Sequence, residues 1–267
     1  IVGLVSAFMD HLCSIPQLGL CPTDLQRQSW RNGNFLLGRV DITSMYRLKD
    51  RNDVLSWLAT AEHTTTMTHR GRGQLTKGST LYYGKHSRRW SLKFYSKGEE
   101  LSAKGHQLPL TIPNRDRLIE YAQPALRCEL TLRSMQLKQT ELQLAANWPR
   151  TAEGISQILQ HYMKGLNMSD VRTLPAEALD SLPSGCRLAY QTWIEGHDLK
   201  TMLVRRTFYH YRRLLLQHGV DIANVQPRDN ANVVKLYRVL EAVPMAIPDW
   251  ARGTPLYFDP TANKRTA

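Results

Sequence analysis

The chain has 267 residues, with 35 Lys and Arg against 23 Asp and Glu, giving a net charge of +12 at pH 7 and a pI near 9.7. That length supports one domain with an extension or two small domains, and the basic balance points to a polyanionic partner. No apolar run is long enough to span a bilayer, and Cys13, Cys21, Cys128 and Cys186 show no metal-type pairing, which argues against a membrane protein, a disulfide scaffold or a zinc module and for a reducing cytosol.

In chain order, helical spacing covers residues 2–12. The start Ile1-Val2-Gly3 lacks a methionine and the basic segment of a signal peptide, so it reads as an amphipathic helix entered partway. Residues 35–43 alternate as a strand, with Val40 and Ile42 on one face and Arg39, Asp41 and Thr43 on the other. A helix is expected at residues 53–62. Residues 64–79 form a polar, glycine-containing connection whose Arg70, Arg72 and Lys77 either close over an anion or sit in a solvated loop. Residues 79–101 then carry a strand in which Trp90, Leu92 and Phe94 point one way and Ser91, Lys93, Tyr95 and Lys97 the other. A short helix over residues 115–122 stops before Pro124. Residues 125–133 alternate again, with Leu126, Cys128, Leu130 and Leu132 opposed to Arg127, Glu129, Thr131 and Arg133. Helices are expected at residues 136–146, 152–166, 199–218 and 232–243, with Gly219 in the left-handed cap position of the third.

If the three strands pair in one sheet with its apolar side against helices, Asp41, Tyr95 and Glu129 share one open surface ringed by Arg and Lys. Any half-exposed antiparallel sheet alternates in this way, so spacing by itself fits a solvated face as well as an anion-binding one.

The residues in this order resemble a known family. Arg39-Val40-Asp41, then Phe94-Tyr95-Ser96-Lys97 followed by Glu100-Leu101, then Arg127-Cys128-Glu129 with Arg133, are similar to the replication-initiation endonucleases of filamentous bacteriophages, and more distantly to rolling-circle plasmid initiators. Phe208 to Leu214, Gly219 and Pro248-Asp249-Trp250 extend the likeness towards the end of the chain. The resemblance implies a site-specific nickase and ligase of the relaxase type that opens one strand of a supercoiled origin in the host cytoplasm, with helicase and polymerase following. It places the nucleophile at Tyr95, with Lys97 beside it, and divalent-metal ligands at Asp41, Glu129 and Glu100. None of the nine histidines forms the His-x-His pair of better-known rolling-circle nucleases, so an oxygen-ligand site for Mg²⁺ or Mn²⁺ is expected.

Such chemistry needs the phosphodiester charge neutralised and the nucleophile held in line. Lys93, Lys97 and Arg127 would supply fixed positive charge and favour the phenolate of Tyr95. Attack would leave a 5′-phosphotyrosyl bond and a free 3′ hydroxyl. Arg39, Arg70, Arg72, Lys85, Arg88, Arg89, Arg133, Arg205, Arg212 and Arg213 are the further candidates for DNA contact. In residues 205–216, one helical face would bury Phe208, Tyr211 and Leu215 while the arginines face outwards. The expected architecture is α+β: a catalytic unit over residues 1–135, with a central antiparallel sheet and helices on one face, and a mostly helical DNA-binding part over residues 136–267. The alternative is a non-catalytic DNA-binding replication regulator.

Overall fold

Two antiparallel sheets appear in the computed structural model, which describes residues 1–168, 174, 176–218, 220–223, 239 and 243–257. The larger is five-stranded: β1 (Arg39–Arg47), β4 (Gln74–Thr76), β5 (Thr80–Tyr83), β6 (Trp90–Ser96) and β7 (Ala125–Arg133), in the order β1-β7-β6-β5-β4. The smaller joins β2 (Thr65–Met67), β3 (Gly71–Arg72) and β8 (Leu166–Met168), with β2 in the middle. The helices around them are α1 (Val2–Cys13), α2 (Asp24–Arg31), α3 (Arg51–Thr64), α4 (Lys97–Ser102), α5 (Arg115–Ala122), α6 (Ser134–Gln139) and α7 (Ala152–Met163). Then follow α8 (Ala176–Asp180), α9 (Ser184–Ile194), α10 (Leu199–Met202) and α11 (Arg205–Leu216). The fold is therefore α+β, as the periodicities imply.

Burial of one sheet face decides the register. Leu92, Phe94, Leu126, Cys128, Leu130 and Leu132 are all fully buried, and shifting any strand by one residue would turn this set outwards. Two helices cover them. Trp57 of α3 packs on Phe94 with ring centroids 5.2 Å apart, and Tyr162 of α7 meets Trp90 edge-on at 4.9 Å. Helix α3 begins where the Asp50 side chain accepts from Asp53 N at 3.0 Å, capping a backbone donor that the helix cannot satisfy itself. Burial pushes the Cys128 thiol up, so it behaves as a small apolar group within this layer.

The core over the sheet continues past residue 135, since Leu137, Trp148 and Leu159 are buried in it. A second core unites Cys186, Tyr190 and Trp193 of α9, Leu199 of α10, and Phe208 and Leu215 of α11. The chain later returns to the first unit, where Met245 N donates to Met45 O at 2.7 Å and Tyr121 Oη donates to Ala246 O at 2.6 Å.

Several elements differ from the sequence expectation. Residues 64–79 are not an open connection: Thr65, Thr66 and Met67 are buried in β2, and the Thr65 hydroxyl is satisfied by Ala61 O at 2.5 Å and by Tyr83 Oη. Such satisfied hydroxyls let a polar-looking segment enter a core. The helix after Arg133 ends at Gln139, with Glu141 in the left-handed region at φ 60°. The helix expected over residues 199–218 is broken at Leu203 and Val204, both extended. Helix α2 was unanticipated although Thr23 and Gln26 form a capping box. Gly219 and the helix expected at residues 232–243 lie outside the described residues, apart from Val239 and Val243.

Arg72, expected to meet DNA, instead ties β3 to the second core. Its Nη1 lies 2.5 Å from Asp198 Oδ2 and its Nε donates to Ala223 O. Its side chain is 16 % exposed, so little of it is free for phosphate. Arg72→Ala is expected to cost about 1.5–3 kcal/mol, the usual worth of hydrogen bonds to charged groups, seen as a lowered thermal midpoint with the salt dependence of DNA binding unchanged.

Candidate active site

Directly opposed residues of antiparallel strands share a face, so the register arranges the polar side of the sheet in rows. Asp41, Thr131 and Ser91 form one; Thr43, Glu129, Lys93 and Tyr82 form the next; Arg127, Tyr95 and Thr80 form a third. Asp41, Glu129 and Tyr95 thus come from β1, β7 and β6 onto one face. Ser91 and Thr131 belong to this face too, and Thr131 hydrogen-bonds Asp41. As neutral hydroxyl residues they gave no chemical signal in the sequence.

At the centre, Tyr95 Oη donates to Glu129 Oε2 at 3.3 Å, and Lys93 Nζ pairs with Glu129 Oε1 at 2.7 Å. The Lys93 ammonium lies 4.8 Å from the Tyr95 ring centroid and the Arg127 guanidinium 5.9 Å. The face is closed where an open one was expected: Tyr95 is 5 % exposed and Glu129 7 %.

This burial reverses the expected effect on the phenol. Desolvation raises the Tyr95 pKa above its ordinary value; Arg127 opposes the rise, while the charges of Glu100 and Glu129 and the hydrogen bond to Glu129 add to it. Cations near the ring therefore do not bring the phenol's pKa below its ordinary value. Glu129 is the carboxylate in hydrogen-bond contact.

Lys97 departs from its assigned place on the strand. The Ser96 side chain accepts from Glu99 N at 3.2 Å and starts α4, so Lys97 is the first helical residue and pairs with Glu100 of the same helix. At β1, Arg39 Nη2 holds Asp41 Oδ2 at 2.9 Å. Burial pushes the Asp41 carboxyl up, but hydrogen bonds from Arg39 and Thr131 outweigh it and hold the pKa below its ordinary value.

The expected metal ligands are consequently half of three ion pairs: Asp41 with Arg39, Glu129 with Lys93, and Glu100 with Lys97. Their oxygens have the hard character that Mg²⁺ and Mn²⁺ take. Among the described residues, however, no group of three or more His, Cys, Asp or Glu side chains is placed to hold a metal ion. In this arrangement the residues do not fit a three-carboxylate site, because each negative charge already faces a cation.

The remaining cations are spread around the molecule. Lys85, Arg88 and Arg89 are exposed on the turn between β5 and β6, with Lys85 Nζ 5.1 Å from the Tyr82 ring centroid. Arg133 donates to Ser91 Oγ at 3.1 Å on the polar face. On α11, Arg205 and Arg213 are exposed, whereas Arg212 makes two bonds of 2.7 Å to the carboxylate of Asp221. That bidentate pair fixes the segment after α11 and occupies the guanidinium fork that would otherwise meet phosphate. Arg70 stacks on Trp90, 4.5 Å from its ring centroid, at the far edge of β6. No described helix is long and apolar enough to cross a membrane.

Comparison with known proteins matches the chain to one family. Residues 1–151 match the model for the N-terminal part of the phage replication-associated protein of the gene II type, and residues 181–255 the model for its C-terminal part. The replication-associated protein of Enterobacteria phage I2-2 is 40% identical over 252 residues, an overlap of 92% of this chain and 70% of the relative. The chain belongs to this family of phage replication-associated proteins.

Proposed function

We propose that this protein initiates rolling-circle replication by nicking one DNA strand at an origin, with Tyr95 as nucleophile and Glu129 as the base that takes its proton. The hydrogen bond from Tyr95 Oη to Glu129 Oε2, set between Lys93 and Arg127, is the observation that supports it best. An entering phosphate competes with Glu129 for Lys93. Once Lys93 turns to the phosphate, Glu129 loses its balancing cation and becomes a better proton acceptor at the moment the phosphorus arrives. The phenolic oxygen then bonds to phosphorus, its proton passes to Glu129, and the bond to the 3′ oxygen breaks, the departing alkoxide taking a proton from solvent. A 5′-phosphotyrosyl ester and a 3′ hydroxyl result, and the same steps in reverse reseal the strand.

Divalent-metal dependence belongs to the proposal as a test. An ion would have to displace Arg39 from Asp41, since Glu129 is taken up as the proton acceptor and the carboxylates as they stand do not form a metal site. Relaxation of supercoiled origin plasmid is expected with Mg²⁺ or Mn²⁺ and to stop in EDTA; full activity in EDTA would remove the metal from the reading. Assembly with host helicase and polymerase after the nick is part of the same proposal. The burial of Tyr95 favours a second reading, a DNA-binding replication regulator without catalysis. The plasmid assay separates the two, because a binder alone leaves the plasmid supercoiled.

A further inference from the structure

A cavity of about 810 Å³ opens away from the polar face, between the β2–β3 turn, the start of β6, α6 and α7. Its size is that of sites for small organic ligands, about 300–1,000 Å³. Trp90, His161 and Tyr162 supply aromatic walls, and His69 and Gln157 supply polar edges. The aromatic groups already pack on one another, Tyr162 edge-on to Trp90 at 4.9 Å and to His161 at 5.4 Å.

Beside this cavity the structure brings two cations together without a carboxylate. Arg70 lies over the Trp90 ring, its Nε is buried with no hydrogen-bond partner, and it forms no ion pair among the described residues. The nearby Arg89 is exposed and donates to the neutral Gln139 at 2.5 Å. Arg89 directly precedes Trp90, the residue whose ring carries Arg70, and burial, then the charge of Arg89, depress the Arg70 pKa. Gly84, at φ +69°, permits this packing, because a Cβ there would lie 2.8 Å from Arg70 Cδ. Two cations without carboxylate partners, one with an unsatisfied buried donor, suit an anion.

We propose that this cavity takes one unpaired nucleotide of single-stranded DNA, its base against Trp90, His161 and Tyr162 and its phosphate between Arg70 and Arg89. A paired base is stacked within the helix and cannot enter, so the pocket distinguishes an opened origin from a closed duplex. Such stacking tolerates any base, since each has a π face, while His69 and Gln157 can reach its edge. The inference rests on the proposed function only in taking DNA as the partner. It needs no catalytic tyrosine.

The test measures binding by Tyr95→Phe protein, which cannot cleave, to three probes: a dT 12-mer, an abasic 12-mer with the same backbone, and a 12-base-pair duplex. The dT strand is expected to bind at least about fivefold more tightly than the abasic strand, in keeping with the loss of one stacked base. His161→Ala with Gln157→Ala, two changes at the cavity rim, should erase that difference and leave duplex affinity as it was. Arg70→Gln with Arg89→Gln should weaken both single strands and lower the salt slope by about 0.7 per lost phosphate contact. A 5-iodo-deoxyuridine strand should crosslink within residues 157–165 or at Trp90. Equal affinity for dT and abasic strands, no measurable single-strand binding, or crosslinks confined to other segments would each overturn the proposal. Nicking by wild-type protein with equal dT and abasic affinities defeats this inference alone; base-dependent binding without any nicking defeats the catalytic reading and leaves this one standing.

Discussion

Tyr95→Phe is expected to abolish origin nicking and the denaturation-resistant protein–DNA adduct, a loss of at least about 10⁴-fold, as when a covalent nucleophile is removed. The substitution deletes one oxygen and the bond to Glu129 Oε2 at 3.3 Å. The ring stays in place between Lys93 and Arg127. The stability cost is accordingly about 1 kcal/mol, and DNA affinity should be nearly unchanged. Quantifying the adduct by denaturing gel beside a binding isotherm separates chemistry from grip. An adduct that persists in the variant would move the nucleophile elsewhere, with Tyr82 first in line because it shares a row with Glu129 and Lys93.

Glu129→Gln tests the proton acceptor. Glutamine keeps the length and an oxygen that accepts from Lys93, but it cannot take the phenolic proton. The nicking rate is expected to fall about 10²–10⁴-fold, the usual contribution of a general base. The pH profile carries the distinctive part. Burial holds the phenol above its ordinary pKa, so the phenolate fraction is small at neutral pH and grows as pH rises. Without Glu129 the variant should gain about tenfold per pH unit between about pH 7 and 9, while the wild-type rate changes less. A variant as fast as wild type, or one whose rate ignores pH, would remove Glu129 from the mechanism.

The sheet was legible because alternation is local and burial of one face fixes it. Residues 39–43, Trp90 to Tyr95 and Leu126 to Arg133 lie in strands with the expected residues on each face, although the first strand runs Arg39–Arg47 and not over residues 35–43. Closure of the polar face was not legible, because it depends on ion pairs such as Lys93 with Glu129 between strands distant in sequence. The same limit applies to Arg72 and Arg212. A basic residue in a polar stretch reads as a DNA contact until Asp198 or Asp221, 126 and 9 residues away, is seen beside it. Thr65 and Thr66 misled for a related reason, since burial of a threonine depends on partners such as Ala61 and Tyr83 that its own segment does not announce. The nucleotide-sized cavity draws on segments from Met67 to Gly165, so no single motif could have carried it.

The seclusion of Tyr95 matters after the chemistry as well as before it. On the proposed reaction the phosphotyrosyl ester must outlast an entire round of strand synthesis, and its chief enemy is adventitious water. A side chain only 5 % exposed, walled by its own cations and by a carboxylate that has just become neutral, is poorly placed to receive that water. The fold that makes the phenol hard to ionise would thus also lengthen the life of the covalent end, storing the bond until a 3′ hydroxyl returns to claim it.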